Sequence, residues 1–239
     1  MEILFQGSVA KHPDRPEDNE DAMSVVAERD RIVVCDGASE SYDGKNWARL
    51  LAEKFDDEPL SEETLAACLE AFLALHDPTT MSWSKAAAFE RGSFSTALIA
   101  QNESLSSAVT IQCIGDSCAV LTDGVKTLHT LPYQHSTEFE GKPTLLSTVP
   151  HHNAHLYPAG SFEIPKTVWH YEADNHPFLL CMTDALGAWL LRRLEEDDGY
   201  ALPRLLAIRT EDELRELVEL ERTEGRMRHD DSTLAIVAL

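Results

Sequence analysis

Five aspartates lie where β-like runs of the sequence meet loops or turns. Asp36, Asp116 and Asp184 each follow such a run, Asp230 directly precedes the last one, and Asp21 lies just ahead of the first. The turn preference of Asp explains any one of these positions. Carboxylates that converge, however, raise one another's pKa unless a cation neutralises them. Because Mg²⁺ and Mn²⁺ prefer oxygen ligands, the five positions together predict a shared metal site.

Short motifs around these aspartates follow one another in order along nearly the whole chain. They are Asn19-Glu20-Asp21-Ala22, Val34-Cys35-Asp36-Gly37, Gly92-Ser93-Phe94-Ser95-Thr96-Ala97, Ile114-Gly115-Asp116-Ser117, Met182-Thr183-Asp184 and Asp230-Asp231-Ser232-Thr233. The set resembles the metal-dependent protein phosphatases, the protein phosphatase 2C family, and is most similar to its compact bacterial branch. Residues 139–147 also resemble a loop of that branch. Each motif is weak alone, but all six in order are specific.

The resemblance implies an α+β fold, in which a central β-sandwich of two largely antiparallel sheets is flanked by helices in αββα layers. It also implies two Mn²⁺ or Mg²⁺ ions at one end of the sandwich, with a third ion bound more weakly. By match of motif, Asp36 bridges the two ions and the backbone carbonyl of Gly37 binds one of them. Asp184 and Asp230 complete this centre.

Three further acidic residues are assigned to the metal site by the same resemblance. Glu20 and Asp21 act on the ions directly or through water, and Asp116 helps Asp184 to hold the third ion. Asp230 rather than Asp231 is the expected ligand, because Asp230 occupies the first position of the family's Asp-Asn pair.

The implied reaction is the hydrolysis of phosphoserine and phosphothreonine in proteins by a metal-activated water, with Asp36, Asp184 and Asp230 as the catalytic residues. No phosphoenzyme is needed, so the five cysteines need not be reactive. The expected partner is a phosphoprotein produced by a serine/threonine kinase in bacterial signalling.

The sequence departs from the family at positions that concern the substrate. Pro16 stands where the family often has a phosphate-binding Arg, which leaves Arg15 or His12 as candidates for that role; Arg15 is equally well explained as a surface charge. Ala38 replaces the His that eukaryotic members carry as a proton donor. Two alternatives therefore stay open: a catalytically weak or inactive phosphoprotein-binding regulator, and a metal-dependent hydrolase of small phosphate esters.

The elements that must position these residues follow from hydrophobic periodicity. Helices are predicted between groups of strands rather than alternating with single strands, which favours an α+β fold with antiparallel sheets over a doubly wound parallel fold. Residues 132–175 are predicted as long loops with one or two strands, a candidate flap. The predicted strands are 24–27, 31–35, 93–100, 108–115, 118–121, 125–128, 178–182 and 232–239, and the predicted helices are 47–55, 62–76, 83–90, 185–194, 201–208 and 212–223.

Composition limits the partners. The chain has 239 residues and a formal net charge of −22, which argues against nucleic acid and against an anionic membrane surface. No apolar run approaches the roughly 20 residues that span a bilayer. Five cysteines without a C-x-x-C pair are typical of buried thiols in a reducing cytoplasm, which is the expected location.

The chain is predicted to form one catalytic domain over residues 9–239. Residues 1–8 are interpreted as an expression scar, because they include Leu4-Phe5-Gln6-Gly7-Ser8, which resembles a protease site followed by a cloning junction. The acidic excess is assigned to surface segments at 53–63, 195–198 and 211–224. These segments predict a preference for phosphorylated sites with basic flanks. The oligomeric state is not determined by the sequence.

Overall fold

The computed structural model describes residues 1–196 and 199–239. Asp197 and Asp198, which end the acidic segment predicted at 195–198, lie outside the described residues. The strands are β1 (Glu2–Val9), β2 (Asp21–Val26), β3 (Arg31–Asp36), β4 (Phe94–Ser95), β5 (Ala97–Glu103), β6 (Ala108–Ile114), β7 (Cys118–Thr122), β8 (Thr127–Leu131), β9 (Leu146–Ser147), β10 (Lys166–His170), β11 (Phe178–Met182) and β12 (Ser232–Ala238). The α-helices are α1 (Gly44–Phe55), α2 (Glu62–Ala74), α3 (Trp83–Arg91), α4 (Asp184–Glu195), α5 (Ala201–Leu206) and α6 (Glu211–Thr223).

Two five-stranded antiparallel sheets pack face to face. One sheet has the order β1-β12-β11-β7-β8 and the other β10-β6-β5-β3-β2, while β4 and β9 form a small separate pair. Alternate residues of each strand face opposite sides, so Ile32 and Val34 of β3 lie between the sheets, whereas Val33 and Cys35 face α1 and α2. On the other sheet, α4, α5 and α6 cover the outer face. The predicted α+β sandwich with αββα layers is confirmed.

Local side-chain signals set where several helices begin. The Ser61 hydroxyl accepts the Thr64 N–H at 3.1 Å and caps α2. Thr210 and Glu213 form a capping box at the start of α6. Asp184 is the first residue of α4 and follows β11 after a single residue, so the end of a central strand places this carboxylate directly.

Residues 1–8 do not stand apart from the fold. They supply most of β1, which pairs antiparallel with β12 from Glu2↔Ala238 to Val9↔Ser232. Phe5 and Val9 are buried in the core beneath α4–α6. The folded domain therefore includes this segment and does not start at residue 9, because β12 needs a partner for its backbone hydrogen bonds and the apolar residues of the segment provide a buried face.

The candidate flap at 132–175 is packed against the body of the protein at several points. Leu146 and Leu156 are buried with α1 and α2, and Phe139 is buried with the α4 layer. Lys166–His170 forms β10 at the edge of its sheet, which agrees with the one or two strands predicted there.

Candidate functional site

Aspartates from separate elements meet in one cleft of about 280 Å³ at an end of the sandwich. We call this cleft the acidic pocket. Its lining includes Asp36, Gly37, Asp116, Asp184 and Asp230, which are five of the seven residues predicted to hold metal. The other two, Glu20 and Asp21, lie at the start of β2 beside the pocket, and Asp21 is opposite Asp36 in the β2–β3 ladder.

Asp21 lies close enough to Asp36 for its charge to oppose the ionisation of Asp36. Asp21 Oδ2 accepts hydrogen bonds from Thr183 Oγ1 at 3.0 Å and Thr233 Oγ1 at 2.7 Å. Its other oxygen, Oδ1, is buried without a hydrogen-bond partner in the described part of the chain. Burial raises the pKa of Asp21 well above its ordinary value, and the hydrogen bond from Thr233 offsets this only in part. Burial and then the charge of Asp21 likewise raise the pKa of Asp36.

Asp184 has one paired oxygen and one orphaned oxygen. Its Oδ2 accepts from Arg228 Nη1 at 2.8 Å, and Arg228 Nη2 donates to the Phe139 carbonyl at 2.6 Å. Asp184 Oδ1 is buried with no partner among the described residues. Burial, followed by the charges of Asp116 and Asp230, raises the pKa of Asp184 to about 6.

Close backbone approaches shape the pocket at two glycines. A Cβ on Gly37 would lie 2.5 Å from the backbone of Gly44, so a larger residue cannot follow Asp36 without moving α1. Gly115 has a φ of +100°, and a Cβ there would lie 2.5 Å from the Thr96 side chain. This left-handed turn after β6 carries Asp116 into the acidic pocket, where burial raises its pKa.

Thr96 ties two of the motifs together. Its hydroxyl accepts the N–H of Asp36 at 2.8 Å and lies 2.7 Å from the Ser117 hydroxyl. The motif that contains Thr96 was visible in the sequence, but this contact across three strand ends was not.

A lysine that the sequence analysis did not assign lies among the acidic groups. Lys11 Nζ is 2.6 Å from Ser39 Oγ, 3.2 Å from Glu20 Oε2 and 3.8 Å from Asp230 Oδ1. Burial lowers the pKa of Lys11, but the hydrogen bond to Glu20 and the nearby acidic charges outweigh burial and raise it overall. The ammonium group therefore stays charged. The only sequence signal was its position nine residues before Glu20.

The two residues predicted to bind phosphate have other described neighbours. Arg15 pairs with Asp18 at 3.2 Å and is half exposed. The ring of His12 lies 6.0 Å from that of His229. The contacts described for Arg15 and His12 include no carboxylate of the acidic pocket, and their role stays a prediction.

The cysteines take no part in the pocket. All five are free, and burial raises the pKa of Cys68 and of Cys118 to about 12. A thiolate nucleophile is therefore disfavoured at neutral pH.

The chemistry of the acidic pocket fits divalent cations. Within residues 1–196 and 199–239, no group of three or more His, Cys, Asp or Glu side chains is arranged to hold a metal ion as it stands. Yet Asp21 and Asp184 each have a buried oxygen without a partner, and the neighbouring carboxylates raise one another's pKa. Hard cations would supply both the missing ligand contact and the missing positive charge.

The fold is that of known bacterial phosphatases. The serine/threonine phosphatase Stp1 from Staphylococcus aureus aligns with a TM-score of 0.61 at 17% identity, over 100% of this chain and 97% of that one. The Mycobacterium tuberculosis serine/threonine phosphatase PstP/Ppp aligns with a TM-score of 0.57 at 17% identity, over 99% of both chains. A bacterial serine phosphatase aligns with a TM-score of 0.61 at 15% identity, over 98% of this chain and 97% of that one.

These identities are low, so the likeness establishes the fold and not the reaction. No protein-family model matches the chain, and no curated protein matches it in sequence. In the described ranges, no helix is long and apolar enough to cross a membrane.

Proposed function

We propose that this protein hydrolyses phosphoserine and phosphothreonine in proteins, and that the reaction depends on Mn²⁺ or Mg²⁺. The observation that carries the proposal is the convergence of Asp21, Asp36, Asp116, Asp184 and Asp230, with orphaned buried oxygens on two of them. The fold shared with serine/threonine phosphatases supports the same reaction class.

In this proposal the residues of the pocket would hold two metal ions and a third ion that is bound more weakly. Asp36, the Gly37 carbonyl, Asp184 and Asp230 would hold the ions, with Glu20, Asp21 and Asp116 around them. Bound divalent cations would activate water for attack and neutralise phosphoryl oxygens. The substrate would be a phosphoprotein made by a serine/threonine kinase in the bacterial cytoplasm.

The chain itself keeps the carboxylates in place and leaves one side of the pocket open. The Thr183 and Thr233 hydroxyls hold Asp21, and the Thr96 hydroxyl holds the backbone of Asp36. Pro143 and Leu145, from a stretch without regular secondary structure, line the same cleft. An open cleft admits a phosphorylated side chain on a protein surface better than an enclosed cavity does.

A second candidate is a phosphoprotein-binding regulator with little catalysis. The observation that favours it is the ion pair between Arg228 and Asp184, since the guanidinium offsets negative charge that would attract a metal ion and leaves only Asp184 Oδ1 to bind one. In this function the site would bind phosphorylated protein without turnover.

Metal-dependent turnover separates these two functions. We expect Mn²⁺ to stimulate hydrolysis of a phosphothreonine peptide, a chelator to abolish it, and Asp36→Asn or Asp184→Asn to reduce it about 100-fold or more, since bound metal supplies several kcal/mol. Asp174→Asn, at an exposed turn, is the matched control and retains activity. Full activity in chelator would refute the proposal, and peptide binding without turnover at saturating Mn²⁺ would favour the regulator. Comparing the phosphopeptide with free nucleotides tests the small-ester alternative.

A further inference from the structure

Asp231 joins three parts of the chain at the edge of the acidic pocket. Its Oδ1 accepts the backbone N–H of Lys11 at 2.7 Å, and its Oδ2 accepts the backbone N–H of Glu20 at 2.8 Å. Its own N–H donates to Asp230 Oδ1 at 3.0 Å. The residue is only 4% exposed, so these bonds are shielded from water. One carboxylate therefore fixes where Lys11, Glu20 and Asp230 stand relative to one another.

This anchoring places the Lys11 ammonium at the pocket. Lys11 Nζ contacts Ser39, which lines the pocket, and Glu20, and it lies 3.8 Å from Asp230. Its side chain remains 20% exposed, so an incoming anion can reach it. A lysine ammonium has three donors on a pivoting stem and acts as a point charge toward phosphate.

Two further cations near the pocket, Arg228 and Arg15, are each paired with a carboxylate. Arg228 uses both terminal nitrogens, one on Asp184 and one on the Phe139 carbonyl. Arg15 pairs with Asp18, outside the lining of the pocket. Lys11 combines an anchored backbone with a charged group directed at the site.

We propose that Lys11 binds a phosphoryl oxygen of the substrate and that Asp231 is the positioning residue that holds Lys11 in place. This inference rests on the proposed phosphatase function. A carboxylate suits position 231 because two backbone N–H donors need two acceptor oxygens. An amide offers one oxygen and would turn its NH₂ group, a donor, toward the second N–H.

The direct test removes the charge of Lys11. Lys11→Gln is expected to raise the KM for a phosphothreonine peptide about tenfold or more while kcat falls less than about threefold, as loss of a charged hydrogen bond to phosphate predicts. Lys11→Arg restores most of the affinity, and Lys85→Gln, on exposed α3, is the matched control and changes neither constant. Asp231→Asn raises KM by a smaller factor in the same direction.

A binding measurement gives a readout apart from turnover. Calorimetry with inorganic phosphate in saturating Mn²⁺ is expected to show about tenfold weaker phosphate binding for Lys11→Gln than for the wild type. Mn²⁺ should bind at least as tightly, because the variant lacks a positive charge beside Glu20 and Asp230. The inference is overturned if Lys11→Gln keeps the wild-type KM and phosphate affinity, or if it binds Mn²⁺ more weakly instead. It is also overturned if the wild type binds no phosphate, or if Arg228→Gln and not Lys11→Gln lowers the phosphate affinity. Phosphate binding that depends on Lys11 in a chain without turnover would refute the proposed reaction and leave this assignment intact.

Discussion

Glu221 on α6 holds together the helices and the turn that carry part of the acidic pocket. Its carboxylate accepts from Trp189 Nε1 of α4 at 2.9 Å, from Arg226 Nε at 2.7 Å and Nη2 at 3.0 Å, and from Arg204 Nη1 at 3.2 Å. Asp184 begins α4, and the turn containing Arg226 leads directly to β12. Replacing Glu221 should therefore loosen the fold beneath the site.

The magnitude follows from the ionisation of this buried group. The hydrogen bond from Arg226 lowers the pKa of Glu221 to about 2, with further contributions from Trp189 and from the charges of Arg226 and Arg204. The pKa of Glu in an unfolded chain is about 4.3, and one pKa unit is worth about 1.4 kcal/mol, so ionised Glu221 contributes about 3 kcal/mol to the free energy of unfolding. Because the pKa is lower in the folded state, this contribution is complete above about pH 4.3 and is lost as the pH falls toward 2.

Urea unfolding of the wild type and Glu221→Gln, followed by circular dichroism, measures this contribution. At pH 7 we expect Glu221→Gln to lower the free energy of unfolding by about 3 kcal/mol, and we expect the difference to shrink as the pH falls from about 4.3 to about 2. Glu216→Gln, on the exposed face of the same helix, is the matched control and should cost less than about 0.5 kcal/mol. A difference of the same size at pH 7 and at pH 2.5 would refute the reasoning, because a loss of packing alone does not titrate.

Four further outcomes are expected. Gly37→Ala should lower Mn²⁺-dependent turnover at least tenfold, since its Cβ would lie 2.5 Å from the Gly44 backbone; turnover at the wild-type level would contradict this. Thr96→Val should lower the free energy of unfolding by about 1–3 kcal/mol, measured in urea, because it leaves the buried Asp36 N–H without its acceptor. Deletion of residues 1–8 should lower the melting temperature markedly, since it removes most of the partner strand of β12; an unchanged melting temperature would show that β1 is dispensable. Finally, at low salt a phosphothreonine peptide with Lys flanks should turn over faster than one with Glu flanks, because the chain carries −22; equal rates would refute long-range steering.

Much of the fold was predictable because it depends on local patterns. A short continuous apolar run predicts a buried strand, and the predicted 178–182 coincides with β11. Helical spacing predicts a start at residue 62, which is where α2 begins, although the predicted end at residue 76 lies two residues beyond the observed end at Ala74. The first helix begins at Gly44 rather than at residue 47, because Asp43 caps it and its first turn has no apolar stripe.

The first strand was missed because its evidence is not local. Residues 2–9 pair with residues more than 220 positions away, and no periodicity within eight residues distinguishes an edge strand from a tag. Strand pairing over such a separation is set by the packing of the whole sheet.

By itself, the sequence determined which acidic residues stand at the ends of strands. It also determined that these strands form largely antiparallel sheets. Only the tertiary structure decided which of these side chains are neighbours and which cations accompany them. Lys11 and Glu20 are brought together by Asp231, which is 220 residues from Lys11. Asp184 is paired with Arg228, which lies between α6 and β12. Such contacts depend on how strands and helices pack in space. The spacing of two residues along the chain does not give the distance between their side chains in the folded protein.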